Sequence, residues 1–398
     1  MTHHQINFLF LNIGHFFDHM FVLIFATVAA LSLTTEWGMT YSQLIPYATP
    51  GLVAFGALAV PVGWLADKWS RERMLAIFFI GIGASSAFTA LAETPLQIGV
   101  GLLFIGVFAA IYHPVGIAMV VHGREKTGVP LAINGIFGNM GIAVAALLAG
   151  LLIDTNGWRA AFVLPGILSI GCGFAYIFIF RAGRAARAAE IEGGAAAKKA
   201  VAGTMTIDRN LVIRTFAIIF TTTAIGGFIL RSTTFALPKI FDERLIDIAN
   251  SATSIGTYSF LVFALAAFAQ LVVGYLIDRY SIRIIFASLA ALQAAFFIVM
   301  VNLTGLPALL VSFGFMLVVF GQIPINDVLV GRITRSEWRS RAYALRYIIT
   351  FTVAATAVPL IAWVHAEWSF DILFTVMAIG ATGTFATVLL LPKAIAEP

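Results

Sequence analysis

Twelve stretches of mostly apolar residues, each long enough to cross a bilayer, leave this chain very few ways to fold. A spanning helix needs about 20 such residues. The stretches fall near 8–33, 44–66, 74–93, 96–121, 129–153, 159–181, 212–238, 250–277, 283–303, 306–330, 341–363 and 369–392. Only 11% of the residues are charged and 60% are hydrophobic, with a mean hydropathy of +0.97. Soluble domains carry roughly 25% charged residues, so this chain cannot cover a water-facing surface. An all-α membrane protein with twelve transmembrane helices is expected. The first stretch is too long, and lacks the small-residue cleavage site, for a removed signal peptide. It is expected to act as its own insertion signal.

The spans divide six and six around a polar gap from Arg181 to Arg214, which holds Arg184, Arg187, Lys198, Lys199 and Arg209 among Ala and Gly. The expected organisation is a six-helix bundle over 1–181, a flexible or amphipathic linker over 182–211, and a second six-helix bundle over 212–398. Loop Lys and Arg residues set the orientation. One side collects Lys68, Arg71, Arg73, Arg124, Lys126, the linker, Arg279, Arg283, Arg332, Arg335, Arg339, Arg341 and Lys393. The other has only Arg159, Lys239 and Arg244. Both termini are therefore expected in the cytoplasm, with the chain multi-pass in a bacterial inner membrane. The net charge of +5 reflects this topology, so no nucleic-acid partner is expected. The bilayer, a small-molecule substrate and protons are the expected partners, and the chain is expected to be a monomer.

Gly63-Trp64-Leu65-Ala66-Asp67-Lys68 returns as Gly274-Tyr275-Leu276-Ile277-Asp278-Arg279, at the same place in each set of six spans. Pro114 in the fourth span matches Pro324 in the tenth. Internal repeats of this kind mark secondary transporters. Gly63 and Gly274 leave room for close helix approach. Asp67 and Asp278 are placed to cap a neighbouring helix N-terminus or to pair with loop arginine, and Arg71 and Arg279 stand beside them in the two motif copies. On these residues the whole chain resembles the major facilitator superfamily, whose loop motif reads Gly-x-Leu-x-Asp-Arg-x-Gly-Arg-Arg, with Ser70 and Ser281 replacing the later glycine. The resemblance implies two pseudo-symmetric six-helix bundles, a first helix lining a central cavity, and loop contacts that latch the cytoplasmic side while the cavity opens outward. The run Tyr112-His113-Pro114 and the stretch Asn134-Gly135-Ile136-Phe137-Gly138-Asn139-Met140-Gly141 are similar to fosmidomycin-resistance-type exporters. The Gly-Pro step of such antiporters is absent after Gly141.

Ionisable groups within spans cost about 2.5–3.5 kcal/mol each on insertion scales and so mark functional candidates. Asn12, His15, Asp18 and His19 share roughly 120° of arc on the first helix. Burial and neighbouring charges tune carboxyl and imidazole groups, so an Asp between two His residues suits proton exchange. Asp18 with His15 or His19 is the expected coupling or substrate-binding group; a structural hydrogen-bonded cluster is the alternative. Arg231 in the seventh span offers a fork for carboxylate or phosphate, or neutralises Asp18. Arg346 either reaches the cavity or pairs with Asp327 as a cytoplasmic gate. His113, just before Pro114, either joins the cavity or satisfies backbone at a kink. Asn134, Asn139, Gln322 and Asn326 are polar cavity groups or helix–helix hydrogen bonds.

No Gly-x4-Gly-Lys-Ser/Thr loop is present, so ATP is not expected to supply the energy. The lone Cys172 excludes an intrachain disulfide and a cysteine metal cluster; no cofactor, resident metal or enzymatic activity is expected. The expected function is proton-coupled secondary transport of a small organic solute, anionic rather than cationic. Drug efflux stays open as an alternative. Copper-type import through His15, His19, Met20 and His113 stays open too, although the ten methionines show no paired spacing, as does a non-transporting sensor. The direction of transport is not written in the residues.

Overall fold

In the computed structural model, residues 3–122, 124, 127–191, 209–333 and 336–392 are described, and every regular element among them is helical. Twelve helices are long and apolar enough to span a membrane: α1 (His4–Glu36), α2 (Tyr41–Lys68), α3 (Arg71–Thr89), α4 (Pro95–Val121), α5 (Gly128–Asn156), α6 (Trp158–Phe180), α7 (Leu211–Arg244), α8 (Ala252–Ile277), α9 (Ile282–Met300) and α10 (Gly305–Ile333), then α11 (Ser336–Glu367) and α12 (Phe370–Leu389). The helix containing α6 runs on to Ile191, through the first part of the expected linker, and the helix containing α7 begins at Arg209. The rest of the linker lies outside the described residues. So do Lys126, Arg335 and Lys393.

Local sequence sets the helix ends. Thr94 caps α4, its hydroxyl accepting from Gln97 N at 3.3 Å, while the Gln97 side chain accepts from Thr94 N at 3.1 Å. Ser251 and Ser254 repeat this reciprocal box at the start of α8, satisfying donors that a helix start leaves open. Gly157 turns the chain from α5 into α6 at φ +82°, a left-handed conformation that costs glycine little. The proline echo has a structural counterpart. α4 is interrupted after Ala109 and resumes at Tyr112; α10 is interrupted after Gly321 and resumes at Ile323. A proline removes one ladder hydrogen bond and crowds the carbonyl four residues earlier, and each break falls within the turn before the proline.

Between helices in lipid, attraction depends on close packing of small residues. Side chains added at Gly138 and Gly141 of α5 would meet the His15 ring at 2.7 Å and the Phe16 carbonyl at 2.1 Å, so α5 lies directly on α1. Further along α5, Ala146 and Gly150 face Ala252 and Gly256 of α8. A Cβ at Gly150 would sit 2.2 Å from the Ala252 carbonyl, and one at Gly256 would sit 2.5 Å from that of Ala146. Of the two repeated loop-motif glycines, only Gly63 is crowded by described residues: a Cβ added there would sit 3.1 Å from the Pro114 ring. The expectation for Gly274 is corrected among the described residues: none lies within 4 Å of a Cβ there, because α8 makes its close approach at the opposite end. Gly141→Ala is expected to destabilise the protein by about 1–3 kcal/mol through overpacking. Gly226→Ala, with no described residue within 4 Å of the added Cβ, is its near-neutral control. Thermal unfolding in detergent compares the two, and equal effects would contradict the contact.

The first six helices and the last six meet most extensively along α5–α8 and α2–α11, with α1–α7 in addition. One face of the bundle carries Lys68, Arg71, Arg73, Arg279, Arg283 and Arg332; we term it the basic face. At the opposite, distal face each of the three basic residues is paired. Arg159 meets Glu36 at 3.0 Å, Lys239 meets Asp242 at 2.5 Å, and Arg244 meets Asp371 at 2.5 Å. The first and last pairs each join the end of a set's first helix to the start of its sixth, with the signs of charge exchanged.

Candidate functional site

The polar stripe of α1 meets α4 and α5 in one hydrogen-bonded cluster. Tyr112 Oη donates to the Leu11 carbonyl at 2.6 Å. Asn134 Nδ2 donates to Tyr112 Oη at 2.9 Å and to Asn12 Oδ1 at 3.0 Å. His15 Nδ1 lies 2.7 Å from the Asn134 carbonyl. A carbonyl only accepts, so Nδ1 carries the proton and the neutral ring turns its Nε2 lone pair inward. That Nε2 lies 3.2 Å from His19 Nε2. The His15 ring also stacks on Tyr112, with centroids 4.9 Å apart and planes 20° apart. These bonds hold α1, α4 and α5 in fixed register.

Asp18 stands apart from that network. It is wholly buried, and neither carboxylate oxygen accepts a hydrogen bond from a described residue. Its neighbour is His113, whose Nε2 is 3.4 Å from Oδ2. This corrects the expectation that His15 or His19 partners Asp18. Those two residues, one turn apart, face each other instead, and the break in α4 brings His113 to the carboxylate. The other charge acting on Asp18 is that of Arg231 on α7. Arg231 makes no ion pair within 4 Å among the described residues and keeps part of its surface accessible. A buried ion without hydrogen bonds costs several kcal/mol. Protonation or a cation removes that cost, so Asp18 is poised to take up positive charge.

Above this cluster Phe55 of α2 and Phe351 of α11 join the two halves, ring to ring at 4.8 Å. His113 packs against both, at 5.7 and 6.1 Å. The site is thus in contact with an inter-half seam.

The remaining expected residues sort plainly. Arg346 donates to Asp327, the pairing expected of these two residues, and the pair ties α10 to α11 within the second half. Asn326 accepts from Thr222 at 3.0 Å and Gln322 donates to Gln293 at 3.2 Å, both helix–helix bonds. Asn139 is buried with its Nδ2 unbonded among the described residues. Asp67 accepts from Arg71 of the next helix at 2.6 Å. Asp278 is exposed, and Arg279 lies over the Tyr275 ring at 3.5 Å.

Residue-by-residue reading missed the distal seam. Ser42 Oγ lies 2.8 Å from His365 Nδ1, and His365 Nε2 lies 2.9 Å from Glu243, which links α2 to α11 and α7. Asp154 accepts from Thr253 N at 2.7 Å and Thr253 Oγ1 at 2.6 Å. A carboxylate from one half thereby caps the helix start of the other. Their signal was faint, since polar residues at span ends read as ordinary interface groups.

A family model for the Major Facilitator Superfamily matches residues 11–245, more than half of the chain. The chain belongs to the Major Facilitator Superfamily. Among curated members, it is 25% identical over 157 residues to the "Probable sulfoacetate transporter SauU" of Cupriavidus necator, covering 39% of this chain and 36% of that one. It is 26% identical over 156 residues to the "Gallate transporter" of Pseudomonas putida, covering 39% and 34%. To the "Puromycin resistance protein pur8" of Streptomyces alboniger it is 29% identical over 135 residues, covering 33% and 27%. The aligned stretch spans about a third of these relatives' own length. Superfamily structures share the fold. A bacterial homolog of the human lysosomal transporter Spinster, inward-facing and occupied, superposes with a TM-score of 0.71 at 14% identity, covering 98% of this chain and 94% of that one. The D-xylose-proton symporter superposes with a TM-score of 0.70 at 14% identity, covering 97% of each.

Proposed function

We propose that this chain is a proton-coupled secondary transporter of a small organic anion, working by alternating access. The observation that carries the reading is Asp18: a wholly buried carboxylate without hydrogen bonds from described residues, 3.4 Å from His113 and under the charge of Arg231, beside the seam of the two halves. A proton arriving at Asp18 removes its charge and releases Arg231 to hold an anion. Loss of the proton restores the pull between them. Proton and anion are thereby coupled through a single pair of side chains. Relatives named for sulfoacetate, gallate and hexose phosphate support an anionic cargo. The Lys and Arg balance supports cytoplasmic termini in a bacterial inner membrane, which makes the basic face cytoplasmic. With the Ser42–His365–Glu243 and Asp154–Thr253 contacts holding the distal face, and Asp67 engaged with its own neighbour Arg71, this arrangement is read as closed outward with the cytoplasmic latch released.

In proteoliposomes carrying an imposed pH gradient, sulfoacetate, gallate or a hexose phosphate is expected to accumulate. Its accumulation is expected to collapse with a protonophore. Uptake of all three that ignores the gradient would remove the coupling claim. A second reading, drug efflux, is favoured by relatives named for puromycin resistance and actinorhodin transport. Exchange of puromycin for protons, with no anion flux in the same vesicles, would select it.

A further inference from the structure

We infer that His15, His19 and His113, completed by Asp18, form a binding site for a divalent first-row transition metal. One ring nitrogen from each of the three histidines lies within 4.8 Å of the other two. Tetrahedral zinc with nitrogen ligands at about 2.0–2.1 Å sets neighbouring donors about 3.4 Å apart. Two edges of such a shell are already formed: His15 Nε2 to His19 Nε2 at 3.2 Å and His113 Nε2 to Asp18 Oδ2 at 3.4 Å. Asp18 lies outside the three-histidine group and joins it from the His113 side.

Three further features match what a metal requires. His15 gives its Nδ1 proton to the Asn134 carbonyl, the outer-shell bond that orients a ligating imidazole and leaves Nε2 free to donate. Both Asp18 oxygens are buried without hydrogen bonds from described residues, a partner that a cation would supply. The donor set of three imidazoles and one carboxylate suits zinc, cobalt or nickel better than magnesium or calcium, which prefer all-oxygen shells. His15 and His19 sit one turn apart on α1, as helical ligand pairs do, and His113 reaches them from α4 only because that helix is broken ahead of Pro114. The charge of Arg231 on Asp18 opposes a bound cation, which gives the site a built-in counterweight.

The inference does not rest on the transport reading, because metal binding is measured on purified protein without a gradient. Transport itself is assayed with a chelator present. Tag-free protein with His3→Ala and His4→Ala, titrated with zinc alone, is expected to bind one equivalent per chain. X-ray absorption is expected to show three imidazole nitrogens and one oxygen at about 2.0–2.1 Å. His113→Asn and, separately, the near-isosteric Asp18→Asn are each expected to weaken binding at least tenfold, whereas Arg231→Ala is expected to tighten it. Thermal unfolding confirms that each variant is folded. No zinc binding by the parent protein would overturn the site, as would affinity unchanged in all three variants.

Discussion

Asp18→Asn is expected to reduce gradient-driven accumulation of the solute to that of protein-free vesicles, while leaving the folded protein at least as heat-stable as the parent. The two halves of this expectation have one cause. The carboxylate is wholly buried and its oxygens receive no hydrogen bond from a described residue, so the ion carries a desolvation cost of several kcal/mol. A neutral amide of the same shape carries about 1–3 kcal/mol at most. A structural residue would behave in the opposite way, lowering stability and sparing transport. Uptake in proteoliposomes and thermal unfolding in detergent decide between them. Loss of stability with normal gradient-driven uptake would show that Asp18 holds helices together and moves no proton.

Arg231→Ala is expected to weaken binding of a sulfonate, carboxylate or phosphate solute by about 10- to 100-fold. A hydrogen bond to a charged group contributes roughly 1.5–3 kcal/mol, and every 1.4 kcal/mol is about tenfold in affinity. Arg231→Lys keeps the charge but loses the planar fork, so it is expected to recover part of the affinity only. Because Arg231 has no ion-pair partner within 4 Å among the described residues, its removal breaks no salt bridge there, and folding is expected to survive. The measurement is ligand-induced thermal stabilisation of purified protein, since a ligand that binds only the native state raises its apparent stability. Equal stabilisation of parent and Arg231→Ala by the same anion would place the anion elsewhere.

Much of the fold was legible because lipid imposes a simple code: length and apolarity fix the helices, and capping residues fix their ends. The twelve described spans begin and end within a few residues of the apolar stretches for that reason, except at α7, which runs on to Arg244, and at α11, whose apolar span begins at Ile348. The stripe on α1 was legible too, since a polar residue in a span stands out against its surroundings. Its partners were not. Asp18 shares a helix with His15 and His19, yet it faces His113, because the break in α4 redirects that side chain. Tyr112 carried no charge to flag it, although its hydroxyl joins α1 to α5. The motif glycines were legible as a repeat and misleading as packing. Gly63 is crowded and Gly274 is not, and only the tertiary arrangement decides between them. The distal contacts of Ser42, His365, Glu243, Asp154 and Thr253 join residues about a hundred or more positions apart, a pairing no local pattern encodes.

The central claim is that Asp18 couples a proton to the solute, and proton uptake or release on solute binding tests it most directly. Purified protein in weakly buffered detergent, with a pH-sensitive dye, is mixed with a transported anion, with metals chelated. The account predicts a proton change of about one per chain bound, absent in Asp18→Asn even where that variant still binds the anion. Binding by the parent protein without any proton change, or the same change in Asp18→Asn, would contradict it.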